Sequence, residues 1–146
     1  MVYGDLIISP EAGLQDYSNA ANQSIAIGGS LINNAFAPAW SPATYRGCDF
    51  SDIPVTFFGN DNASITNTSG TPYTVFDKVT VNKGSSQATT LTCDIAGTLT
   101  TPTDNWLTLK NGTFKYLRTN PNSDFTISTS STFTIPSTAG LYVDYP

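Results

Sequence analysis

The sequence of 146 residues has no histidine, one methionine, two cysteines and few charges, with six Lys+Arg against eleven Asp+Glu. Without histidine, the chain lacks an imidazole base, a Ser-His-Asp or Cys-His nucleophile and an imidazole–zinc site. Two cysteines alone do not complete a structural zinc centre. Phosphate recognition needs clustered cations. Here Arg46, Lys78, Lys83, Lys110, Lys115 and Arg118 are dispersed in a chain of net charge -5, which excludes nucleic acid as a partner. No run approaches the roughly 18 to 20 apolar residues of a membrane-spanning helix, so the chain is not expected to span a membrane. No catalytic, cofactor-binding or metal-ligating set is expected, and the chain reads as non-enzymatic.

Small polar residues replace the missing charge: the chain has 22 Thr, 15 Ser and 12 Asn, with 39% hydrophobic residues. Helical periodicity is nearly absent. One short candidate, Pro10 to Tyr17, has Ser9 as a cap and Pro10 at the first helical position, enough for a single turn. The rest reads as short strands split by Gly, Asn, Pro and Ser. They are Leu6–Ile8, Ser24–Ile27, Ser30–Asn33, Val55–Phe58, Ser64–Thr66, Val75–Asn82, Thr89–Cys93, Ile95–Thr100, Trp106–Lys110, Thr113–Leu117, Phe125–Ser128, Thr132–Ile135 and Leu141–Asp144. Val79-Thr80-Val81, Leu107-Thr108-Leu109, Phe125-Thr126-Ile127 and Phe133-Thr134-Ile135 each put two large apolar residues on one face with Thr between them. Threonine suits the outer face, where its branched carbon favours the strand and its hydroxyl stays wet.

Two all-β folds produce such strands, a parallel β-solenoid and a β-sandwich. Three short strands per turn of about 20 to 27 residues, repeated with self-similar motifs, favours the solenoid. The one Asn-Gly pair, Asn111-Gly112, leaves a hairpin open. Residues 55–146 read as solenoid repeats and residues 1–54 as an irregular N-terminal segment or cap. The start has no signal-peptide pattern, and Leu141 to Pro146 reads as a strand entering a turn. The expectation is a segment of a longer, exported chain.

Three stretches carry a family resemblance: Ser30-Leu31-Ile32-Asn33-Asn34-Ala35-Phe36, then Val55 through Thr66 (VTFFGNDNASIT), then Val75 through Gly84 (VFDKVTVNKG). With the rungs Ile95-Ala96-Gly97-Thr98-Leu99-Thr100 and Leu107 through Phe114, they resemble the repeats of large secreted surface proteins of Bacteroidota. These are type IX secretion cargo and gliding-adhesin-like proteins. The resemblance covers about residues 24–143 and implies a parallel β-solenoid acting as stalk or adhesive repeat, secreted or on the bacterial cell surface. It implies as partners other segments of the same long chain, secretion-system or outer-membrane proteins, and surface polysaccharide. The alternatives are a carbohydrate-binding or carbohydrate-active β-domain and a phage fibre segment.

Few residues stand out as sites. Cys48 and Cys93 are either one disulfide closing a loop of about 45 residues in an oxidising compartment, or two unrelated buried thiols. Asp49, Asp52, Asp61 and Asp77 are the nearest thing to an acidic cluster, without a calcium-loop pattern, and read as turn residues. Aromatic rings stack on pyranose C–H faces, so the candidate glycan contacts are Trp40, in a proline-broken loop, and Trp106, which otherwise fills the core.

Overall fold

The computed structural model describes residues 1–15, 23–35, 47–67, 73–96, 99, 101, 104–117, 125–127 and 132–144. The chain winds as a parallel β-solenoid of about four turns, all-β among the described residues. It has three faces. The first is β3 (Ile25–Ile27), β6 (Val55–Gly59), β9 (Val79–Lys83) and the first half of β11 (Leu107–Leu117). The second is β1 (Leu6–Ile8), β4 (Leu31–Asn33), β7 (Ala63–Asn67), β10 (Thr90–Asp94), the second half of β11 and β12 (Ala139–Asp144). The third is β2 (Gly13–Gln15), β5 (Gly47–Phe50) and β8 (Tyr73–Phe76).

Each strand pairs in parallel with its equivalent one turn later, so side chains stack in files along the axis. One inward file runs Leu6, Leu31, Ile65, Cys93, Tyr116, Val143, and another runs Ala63, Leu91, Phe114, Leu141. On the first face Ile27, Phe57, Val81 and Leu109 follow one another inward, while Thr56, Thr80 and Thr108 stack outside. The period of two that separates Val79 and Val81 from Thr80 therefore sorts core from solvent in every coil. Fully buried Phe50, Phe57, Phe76 and Phe114 fill the interior, each worth roughly 1.5–3 kcal/mol of transfer free energy.

The turns are not of equal length. Leu91 meets Phe114 one coil later, but Leu31 meets Ile65, so coils range from 23 to 34 residues, wider than the spacing in the sequence suggested. Among the described residues of 1–54, strands β1 to β5 pair in parallel with one another and with β6 to β8.

Several local expectations differ from what forms. Residues 10–11 make a turn, not a helical one. Glu11 adopts φ 67, which ends a right-handed run, and Gly13–Gln15 then pairs as β2 with Leu14 against the core. The expected strand Val75–Asn82 is two strands, β8 and β9, separated by a corner at Asp77 and Lys78. Asn111-Gly112 is not a hairpin. Leu107 to Leu117 is one bent strand, its two halves lying on different faces, with Gly112 at φ 85 at the bend. A Cβ at Gly112 would approach the Lys83 carbonyl oxygen to 2.7 Å and that of Thr89 to 2.9 Å, so the close coil-to-coil approach also requires glycine there. Phe125–Ile127 and Thr132–Ile135 run alongside the last coils without strand pairing, as do Ile95, Ala96 and Leu99; the rest of Ile95–Thr100, and Ser128, lie outside the described residues.

Candidate functional site

The most unusual side chain lies at the corner between the first and second faces. The alternation of β9 turns Val79, Val81 and Lys83 inward, and Lys83 is fully buried. Its ammonium donates to the carbonyl oxygen of Phe58 at 2.7 Å and to that of Gly28 at 3.1 Å. Gly28 follows β3, Phe58 lies in β6 and Lys83 ends β9, so one side chain ties three successive coils. Burial lowers its pKa from the usual lysine value, and the charge of nearby Asp61 opposes that shift. An ammonium held by carbonyls at this site is occupied, and it is poorly placed to meet a substrate.

The same corner carries a polar ladder. Ser64 N donates to the Ser30 hydroxyl, Thr90 N to Asn62 Oδ1, Gly84 N to the Gly59 carbonyl and Thr113 N to the Thr89 carbonyl. Asn111 Nδ2 donates to Asn82 Oδ1 at 2.8 Å on the exposed side. At the next corner Asn33 is buried, accepting from Ala35 N and donating to Thr74 Oγ1, while Asn67 Oδ1 accepts from Ala96 N. The abundant Asn, Ser and Thr thus satisfy backbone groups that tight corners leave without ladder partners.

The residues singled out in the sequence are not gathered into one site. Cys48 lies in β5 on the third face, and Cys93 lies in β10 on the second face, two coils further along. They are separate free thiols, both fully buried, so they form no disulfide here. Burial pushes each thiol up to about 12, the neighbouring Asp94 adding to the effect at Cys93, which keeps both as unreactive SH groups. Asp49 sits in β5 and its Oδ1 accepts from Ser51 N, a turn-forming bond. Asp52 and Asp61 are exposed at different corners, and Asp77 donates its backbone N–H to the Phe50 carbonyl. No three acidic or sulfur ligands come together among the described residues.

Trp106 is only 2% exposed, which rules it out as a sugar-stacking platform. Its indole N–H donates to the Thr126 carbonyl at 2.8 Å, and its ring meets Phe114 and Phe125 edge-on. Trp106 precedes β11 and is out of phase with inward Leu107 and Leu109, and it is buried against the Phe114 and Phe125 rings and not by the strand's alternation. Trp40 lies outside the described residues. A shallow groove of about 240 Å³ runs between the first half of β11 and Thr132 to Thr134, with Leu107, Leu109 and Phe133 in its walls. It holds no charged side chain and no paired acid and base.

In the sequence Lys83 stood out only as one of the dispersed cations, yet its position two residues after Val81 places it on the inward side. No described helix is long and apolar enough to cross a membrane. Compared with known proteins, the chain matches no family model, no curated protein and no solved structure.

Proposed function

We propose that this solenoid is a non-enzymatic structural or adhesive segment of a secreted or cell-surface protein. Its role is that of an elongated, protease-resistant rod with a polar, mildly acidic exterior. The observation that carries this reading is the use made of Lys83. The one fully buried charged group of the described residues is spent on holding three coils together. The corner Asn, Ser and Thr side chains are engaged in the same way, coil to coil, which suits a fold selected for continuity along an axis. The resemblance to Bacteroidota surface repeats supports placement outside the cell. Its stalk role agrees with an exterior of stacked threonines such as Thr56, Thr80 and Thr108.

The test is localisation combined with proteolysis. Antibody against the chain should label intact, unpermeabilised source cells, and protease shaving should release a fragment that retains the solenoid. Labelling only after permeabilisation would refute the reading. So would a polysaccharide-cleaving activity that is lost in Asp52→Ala or Asp61→Ala.

A further inference from the structure

The bend of β11 holds the chain's one Asn-Gly pair, Asn111-Gly112. An asparagine followed by glycine is open to self-modification, because no Cβ shields the glycine nitrogen from the side-chain amide carbon. Both nitrogens that the reaction needs are held by other coils. Asn111 Nδ2 donates to Asn82 Oδ1 at 2.8 Å, a bond to the preceding coil. The Gly112 N–H donates to the Thr138 carbonyl at 3.1 Å, a bond to the following coil. Thr138 also donates its hydroxyl to the Lys110 carbonyl at 2.9 Å, so one residue grips the chain on both sides of Asn111. Further along, Thr113 N and Oγ1 donate to the Thr89 and Gln87 carbonyls at 2.8 Å and 2.7 Å.

We propose that Asn111 is a self-deamidation site, silent while the coils are docked and active once the turn before β12 releases Gly112. In the reaction, solvent base takes the Gly112 N–H proton and the nitrogen bonds to Asn111 Cγ. The Cγ–Nδ2 bond breaks and ammonia leaves, so a cyclic imide joins the two residues. Water then opens the imide at either carbonyl, which leaves an aspartate or an isoaspartate at position 111. Ring closure requires Asn111 to leave the extended strand conformation and Gly112 to have a free N–H. Docked coils deny both. The two holds are unequal: the Asn82 bond restrains only the leaving group, whereas the Thr138 carbonyl restrains the attacking nitrogen. Thr138 immediately precedes β12, and Ala139 pairs with Gly112. Release of this one strand is therefore enough, with the other coils still folded. The isoaspartate product is one-way. It adds a methylene to the backbone where Gly112 fits so closely that even a Cβ would come within 2.7 Å of the Lys83 carbonyl oxygen. A coil that has opened and reacted in this way does not redock in the same register. The inference rests on the coil-to-coil bonds at the bend and not on the surface-stalk reading.

The experiment incubates the purified chain in mildly alkaline buffer and follows Asn111 by peptide mapping with mass spectrometry, alongside amide exchange at Gly112. Folded wild type should modify at Asn111 at least about tenfold more slowly than the same chain in denaturing urea. Thr138→Val keeps the side-chain shape and removes the hydroxyl that holds Lys110. It should raise Gly112 exchange and Asn111 modification together, by about two- to tenfold, the worth of one hydrogen bond. Chains carrying isoaspartate should keep fast exchange at Gly112 after the urea is removed. A folded wild type that modifies as fast as the unfolded chain would overturn the proposal. So would a Thr138→Val chain in which neither rate rises, or in which Gly112 exchange rises and modification does not. An isoaspartate fraction that regains wild-type protection at Gly112 would overturn the one-way step.

Discussion

Replacing Lys83 by methionine is the most informative single perturbation. Methionine keeps the unbranched stem, so the packing along the file is nearly preserved, and only the ammonium and its two hydrogen bonds are lost. The Phe58 and Gly28 carbonyls then lose a charged donor at a buried corner. A buried polar group deprived of its partner costs roughly 1–3 kcal/mol, which gives about 4 kcal/mol for the two carbonyls at mid-range. Removing the ammonium also removes its own desolvation penalty, and that offsets part of the loss. The expected net destabilisation is about 2–3 kcal/mol by urea titration, or a fall of several degrees in Tm for a chain of this size. Solenoid coils contact mainly their neighbours, so the damage should be local. Amide exchange should accelerate first at Gly84, whose N–H donates to the Gly59 carbonyl at this corner, and least in β12. A Lys83→Met chain as stable as wild type, with unchanged exchange at Gly84, would refute the claim that the ammonium clamps the coils.

Three further perturbations follow from the same geometry. Gly112→Ala should cost about 2–4 kcal/mol in urea, because it combines a left-handed φ with a close approach to two carbonyl oxygens; a loss under about 1 kcal/mol would show that the bend in β11 is soft. Trp106→Phe should cost about 2–3 kcal/mol through the lost N–H bond to Thr126 and the space left in the core, and an unchanged melt would place the indole outside the core. Alkaline pH should destabilise the fold through the thiols. Folded pKa values near 12 against a reference of 9.0 mean that the stability is intact below about pH 9 and is lost as pH rises toward 12. The loss at pH 10 is about 1.4 kcal/mol per thiol, and urea titrations of a Cys48→Ala/Cys93→Ala variant should lack it. Lys83 has the opposite sign: its lowered pKa adds stability as pH rises toward the ordinary lysine value.

The parallel solenoid was legible because the physics that makes it is periodic. Thr between paired apolar residues at Val79–Val81 and Leu107–Leu109 declares a one-sided strand, and the repetition of that unit at irregular but short intervals favours stacking over a sandwich. What escaped notice lacked that periodicity. β5 reads Gly-Cys-Asp-Phe and β2 reads Gly-Leu-Gln, neither rich in β-branched residues, and both become strands because neighbouring coils offer them a ladder. Conversely, Thr132 to Ile135 has the right alternation but pairs with no strand among the described residues, although the first half of β11 lies across a groove from it, so local pattern alone does not make a strand. Asn111-Gly112 illustrates the same limit. Its positive-φ glycine serves a hairpin or a solenoid corner equally well, and only the long-range pairing with β9 and β10 decides between them. As for function, Trp106 and the two cysteines attracted attention by residue type, but burial determines what they do: Cys48 and Cys93 sit on the inward sides of β5 and β10, and Trp106, just before β11, is buried by the Phe114 and Phe125 rings.

The central claim is the parallel register, and interstrand backbone NOEs in a uniformly labelled sample test it most directly. The account predicts that Cys93 shows contacts to both Ile65 and Tyr116, with the neighbours of each running in the same chain direction. Contacts pairing Lys110 with Thr113 across Asn111-Gly112, with the flanking residues running in opposite directions, would mean a hairpin and contradict the solenoid.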